Sequence, residues 1–182
     1  MTLAWERSGE GELEGNDEEV LDEKVLEALQ PCSETLESLI VEGRFPEWMS
    51  SPSFRYLTYL ELWDCINFVQ LPVLGKLPSL RRLEISWGRC VKYVCYDDSV
   101  AFMALEYLSL RSLPSLIRLS SEDGENQFPC LSTLEIEDCP NFSLQGLQSL
   151  KKLKMKGCPK LKVWTGLQCL TCIEDLTIER CD

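Results

Sequence analysis

Apolar positions recur along this chain in one figure, L-x-x-L-x-L-x-x-C, with Ile, Val or Met accepted for Leu. It fits at seven places: LESLIVEGR from Leu36, LTYLELWDC from Leu57, LRRLEISWG from Leu80, LEYLSLRSL from Leu105, LSTLEIEDC from Leu131, LKKLKMKGC from Leu150 and IEDLTIERC from Ile173. The starts are 21, 23, 25, 26, 19 and 23 residues apart. The L-x-L centre alternates with period two, so each figure predicts a short strand with one buried face. The residues between figures loop back to begin the next strand. Leu-Pro, Pro-Ser-Leu or Phe-Pro stands just before several strands, as in FVQLPVLGKLPSL and GENQFPCLSTL. Proline fixes φ and has no N–H, which suits irregular backbone and opposes long helices there.

One such unit cannot stand alone, because a handful of buried side chains does not offset the entropy of ordering the whole unit. The units must stack, each covering the next. A figure of this kind repeated at this period marks irregular leucine-rich repeats. The expected fold is an α/β solenoid with short parallel strands on the concave face and a mostly irregular convex side. Residues 36–182 form seven repeats in one continuous solenoid. Residues 1–35 read as a partial preceding repeat, an acidic flexible loop and one helix. Leu3 to Trp5 looks like the tail of an earlier strand, and ERSGEGELEGNDEE is the loop. EEVLDEKVLEALQP reads as the helix, with Leu21, Val25 and Leu29 four apart, Asn16 or Asp17 as cap and Pro31 after its end. Residues 97–104 and 120–127 are longer polar insertions.

Charge changes the picture at one end. The formal net charge is −12, of which residues 1–30 carry −8 with ten acids against two bases. That balance makes nucleic acid an unsuitable partner for the whole domain. Histidine is absent, which removes the commonest general base and metal ligand. There is no apolar run long enough for a membrane span and no signal-peptide pattern at Met1, so the expected location is cytoplasmic.

Ten cysteines then need a reason. Cys65, Cys139, Cys158 and Cys181 all stand eight residues after the first apolar position of their unit, where a column of buried structural thiols satisfies a turn. Spacing permits a disulfide between neighbouring strands, and a reducing compartment opposes it. CLTC, Cys169 to Cys172, lacks the further ligands of a zinc site and the helix N-terminus of a redox motif. NFS at Asn141 matches a glycosylation sequon without a secretory signal. GKLPS at Gly75 lacks the earlier glycine of a phosphate loop. No nucleophile stands beside a credible base. The chain is read as no enzyme, with no cofactor, no metal and no small-molecule ligand.

Function is expected on the outward positions. The second position after the first Leu gives the column Ser38, Tyr59, Arg82, Tyr107, Thr133, Lys152 and Asp175. The sixth gives Glu42, Trp63, Ser86, Arg111, Glu137, Lys156 and Glu179. Tyr, Trp and Arg are the types enriched at binding hot spots. Tyr59, Trp63, Arg82, Trp87, Tyr107 and Arg111 come from three consecutive units and are expected to form one partner patch. Trp87 is placed one residue further along its strand, with folding of Trp63 and Trp87 against strand-end loops as the alternative. Lys152, Lys154 and Lys156, within a cluster from Lys151 to Lys162, form a second candidate, suited to steering a charged partner. The alternative there is a solvated face balanced by acidic neighbours.

Several stretches resemble the C-terminal leucine-rich region of plant intracellular nucleotide-binding, leucine-rich-repeat disease resistance proteins, especially the coiled-coil type. They are Glu18 to Val20 with Val25 to Pro31, RFPEWM from Arg44, LPVLGKLPSLRRLEI from Leu71, VKYV from Val91, FPCLSTLEIEDCPN from Phe128 and LKKLKMKGCPKL from Leu150. The resemblance covers almost the whole chain. It implies a protein-recognition module of plant defence, sensing a pathogen effector or a guarded host protein and packing on its own nucleotide-binding domain to hold it inactive. The chain departs from the family in having no phosphate-binding loop, nucleotide-binding module or coiled coil. The expectation is therefore a fragment or truncated gene, with nucleotide switching not carried over. Alternatives are the substrate-recognition array of a ubiquitin-ligase adaptor, a redox protein built on CLTC, and a non-functional remnant.

Overall fold

The computed structural model describes residues 1–5, 28, 33–43, 48, 53–64, 74–96, 101–121, 127–144, 147–159 and 170–181. The helix expected across Glu18 to Pro31 lies outside them apart from Ala28, as do the acidic loop, Cys65, Cys169 and Lys160 to Lys162.

Each of the seven figures forms a strand at its L-x-L centre. The strands are β1 (Thr2–Trp5), β2 (Ser38–Glu42), β3 (Tyr59–Trp63), β4 (Arg82–Ser86), β5 (Tyr93–Cys95), β6 (Tyr107–Arg111), β7 (Arg118–Ser120), β8 (Thr133–Glu137), β9 (Lys152–Lys156) and β10 (Asp175–Glu179). Among the described residues, β1-β2-β3-β4-β6-β8-β9-β10 is the order of one sheet, parallel at every joint. Leu39, Leu60, Leu83, Leu108, Leu134 and Leu153 align in one register column, and Val41, Leu62, Ile85, Leu110, Ile136 and Met155 in the next inward one. All twelve are buried. A one-residue slip would turn both columns to solvent, so burial itself fixes the register.

Two turns bend each coil. The residue three before six of the seven figures is buried, at Phe54, Leu77, Phe102, Phe128, Leu147 and Leu170. At Leu77, Phe102, Phe128 and Leu147 its carbonyl accepts from the first Leu of the figure, for example Leu80 N to Leu77 O at 3.4 Å and Leu131 N to Phe128 O at 3.3 Å. Pro78 and Pro129 fill the second position of those turns, where φ near −65° is required. This is the reason for the Leu-Pro and Phe-Pro pairs. Phe102 and Phe128 stack with centroids 5.1 Å apart, so the insertion around residue 101 is pinned by an aromatic contact.

The other turn follows the strand. The seventh residue after every first Leu has positive φ: Gly43, Asp64, Trp87, Ser112, Asp138, Gly157 and Arg180. At six of them the N–H donates to the carbonyl ending the next strand, from Gly43 N to Trp63 O at 2.9 Å through Gly157 N to Glu179 O at 2.9 Å. A left-handed residue aims that N–H sideways and closes the coil. The thiols of Cys139, Cys158 and Cys181 then donate back to the carbonyls of Glu137, Lys156 and Glu179 at 3.3–3.4 Å. Burial raises the Cys139 thiol to about 12 and the Cys158 thiol to about 11, so both remain protonated structural donors. The cysteines among the described residues are free.

The convex side is more ordered than the prolines imply. β5 and β7 pair in parallel as a second sheet, with Tyr93 opposite Arg118 and Cys95 opposite Ser120. The contact extends outward through Ile117 N to Lys92 O at 3.0 Å and Ser143 N to Ile117 O at 2.8 Å. Elsewhere Leu74–Lys76 forms a short 3-10 turn, and the described residues contain little other helix. The solenoid is thus built from β-structure.

Candidate functional site

Parallel pairing in zero offset places the outward residues of neighbouring coils side by side. Ser38, Tyr59, Arg82, Tyr107, Thr133, Lys152 and Asp175 are successive register partners, as are Glu42, Trp63, Ser86, Arg111, Glu137, Lys156 and Glu179. Tyr59, Trp63, Arg82, Tyr107 and Arg111 therefore meet on three adjacent strands, β3, β4 and β6.

They are joined through carboxylates of the column between them. Arg82 sits between two rings, its Cζ 4.0 Å from the Tyr107 centroid and 5.8 Å from that of Tyr59. Its guanidinium donates to Glu84 Oε1 at 2.8 Å. The Tyr59 hydroxyl donates to Glu61 and stands 3.3 Å from Glu84 Oε1, while Trp63 Nε1 donates to the other oxygen of Glu61. Arg111 faces Glu135 at 3.7 Å, and Tyr107 hydrogen-bonds the same carboxylate. Burial, then the Glu61 hydrogen bond, pushes the Tyr59 phenol well above its ordinary range; burial, then the charge of Glu135, raises Tyr107. Both rings stay neutral donors at any physiological pH. Side chains locked by these contacts lose little further rotamer freedom on meeting a partner. Trp63 remains 43% exposed, and Arg82 and Arg111 are exposed.

The carboxylates were not legible in the two columns that the outward aromatics define. Glu61, Glu84 and Glu135 occupy the fourth position, two residues after Tyr59, Arg82 and Thr133. That offset on a strand returns to the same face, which is the signal that finds them. Two outward residues are covered instead of open: Ser86 and Ser109 are 7% and 1% exposed, short side chains beneath long neighbours, and Ser109 Oγ has no hydrogen-bond partner.

Trp87 does not join the patch. β4 ends at Ser86, and Trp87 occupies the left-handed turn at φ 64°, 57% exposed. It faces the rim of the solenoid at the strand ends. The lysines divide as well. Lys156 is bonded to Glu137, whose pKa is lowered chiefly by that hydrogen bond. Lys152 and Lys154 are exposed and close no ion pair among the described residues. They lie on β9, separated from β6 by β8. The Asn141 side chain donates to Pro114 O at 2.6 Å, joining two coils. Cys172 is exposed, while Cys169 lies outside the described residues. No helix among the described residues is long and apolar enough to cross a membrane.

Comparison with known proteins points one way. The family model described as R13L1/DRL21 LRRs matches residues 1–87. The chain is 31% identical over 189 residues to the putative disease resistance protein RGA4 of Solanum bulbocastanum, covering 98% of this chain and 19% of that protein. It is 32% identical over 202 residues to the disease resistance protein RGA2 of the same plant, covering all of this chain and 20% of that one. It is 31% identical over 186 residues to the putative disease resistance protein At3g14460 of Arabidopsis thaliana, covering 91% of this chain and 13% of that one. The chain thus spans about a fifth or less of the length of these relatives. No solved structure matches it.

Proposed function

Because this chain belongs to the leucine-rich-repeat regions of plant disease resistance proteins, we propose that it is a non-catalytic protein-recognition module of the defence response. Its concave sheet binds a pathogen effector or a host protein that an effector alters, inside the cell. In a receptor carrying a nucleotide-binding domain, the same array packs on that domain and restrains it.

The observation that supports this reading is the cluster of Tyr59, Arg82 and Tyr107 with Trp63 and Arg111. Its side chains are of the hot-spot types, with Trp63, Arg82 and Arg111 exposed and Tyr59 and Tyr107 half-buried, and they are already oriented by Glu61, Glu84 and Glu135. A merely solvated face needs no such wiring. The free lysines of β9 add a cationic flank two strands away, which steers an acidic region of the partner.

The test is the triple variant Tyr59→Ala, Trp63→Ala, Tyr107→Ala. It is expected to keep the wild-type circular dichroism and to lose at least about tenfold in affinity for an effector or host protein that the wild type retains. Unchanged affinity removes the patch from the function.

A further inference from the structure

The turn column that follows the strands forms a second surface, distinct from the concave patch. Beside it runs a groove of about 510 Å³, lined across five coils. One wall is the left-handed column from Asp64 through Trp87 and Ser112 to Gly157. The other is the position two residues on, where Pro114, Pro140 and Pro159 repeat. Ser115 Oγ to Arg89 O at 2.7 Å and Asn141 Nδ2 to Pro114 O at 2.6 Å tie the coils beneath it, so the walls are held in place.

Trp87 is the anomaly here. A bulky residue in left-handed backbone is disfavoured, and such outliers cluster at functional positions. Its ring makes no aromatic or cation contact, and its indole N–H has no hydrogen-bond partner among the described residues. Neither a ring contact nor a hydrogen bond among the described residues explains it. Two coils of the groove also carry carboxylates, Asp64 and Asp138, and neither forms an ion pair or side-chain hydrogen bond among the described residues. Against them the described lining holds one cation, Arg89, with Lys156 near Asp138, so the described lining itself is net acidic.

We propose that this groove binds an extended apolar peptide segment of a partner protein that carries two basic side chains. The spacing follows from the coils. At about 4.8 Å per coil, the five coils span roughly 19 Å, or about six residues of extended chain. Asp64 and Asp138 are three coils apart, roughly 14 Å, which matches basic residues at i and i+4 on one face of such a segment. The residues between them lie on the prolines and on the Trp87 ring, whose face also attracts a cation.

The probe is the blocked pentapeptide Ac-Arg-Leu-Val-Leu-Arg-NH2, with Ac-Glu-Leu-Val-Leu-Glu-NH2 as control, titrated into the 15N-labelled full chain. The basic peptide is expected to shift the Trp87 indole signal and the amides of Ser112, Asp138 and Gly157, and to bind at least tenfold more tightly than the control. Asp64→Asn with Asp138→Asn should abolish that difference. Trp87→Gly should weaken binding at least tenfold without lowering the melting temperature, since glycine is at ease at this φ. Equal binding of the two peptides, shifts centred on Tyr59 and Arg82, or no shift at millimolar peptide each overturns the proposal. Binding at the concave patch is read separately by the Tyr59, Trp63, Tyr107 variant, which should leave this titration unchanged.

Discussion

The strands β8 and β10 are written in the same figure, LSTLEIEDC and IEDLTIERC, and meet different surroundings. Leu134, in β8, is fully buried between β6 and β9. Leu176, at the same place in β10, is 47% exposed, and Ile178 is only partly buried. β10 pairs on one side, with β9, at the edge of the sheet. The pattern selects which residues turn inward, but the burial comes from the coils on either side. Stability in such an array resides largely in the contacts between neighbours.

The largest expected effect sharpens this contrast. Leu134→Asp places a carboxylate in a dry core and is expected to cost about 4 kcal/mol or more, enough to unfold the array in urea titrations. Leu176→Asp, the same change at the edge, is expected to cost under about 1 kcal/mol. Equal losses would mean that β10 is buried in solution as β8 is. A smaller effect probes the contact between β8 and β9. Gly157 has φ 66°, and an added Cβ there would stand 2.2 Å from Asp138 Oδ1. Gly157→Ala is expected to lower stability by about 1–2 kcal/mol in chemical denaturation. Gly43→Ala meets no atom within 4 Å and should cost less, through backbone conformation alone. Lys154→Glu, outward on β9, breaks no ion pair among the described residues but sets a carboxylate opposite Glu135, and should cost only about 0.5 kcal/mol, read from the melting midpoint. A large loss there would contradict the inside–outside assignment of β9.

What the sequence made legible was what burial controls. Leu39 to Met155 could be placed inward because a period of two with one apolar face admits a single register. The column of cysteines was legible for the same reason. The left-handed column was not, because its occupants share a backbone conformation and not a chemistry. Gly43, Gly157, Asp64 and Asp138 are types that favour such a turn, but Trp87, Ser112 and Arg180 conceal the period. Misplacing Trp87 on its strand followed from that. The meeting of Tyr59, Arg82 and Tyr107 could be read from equal offsets. Their attachment to Glu61, Glu84 and Glu135 could not be read from two columns alone, since it depends on which way long side chains lean. The β5–β7 pair escaped notice because strands of three residues are too short to leave a periodic trace.

The units differ in length by up to seven residues, yet their concave strands stay in zero offset. All the variation lies in the segments between those strands. The concave side is therefore a regular lattice, with steps of about 4.8 Å across coils and roughly 6.7 Å between alternate residues of a strand. Duplication or loss of one coil would move everything beyond it by a single lattice step and leave every remaining neighbour contact in kind. A gene that recombines between coils can thus shift the phase of its outward residues against a partner without redesigning the interior.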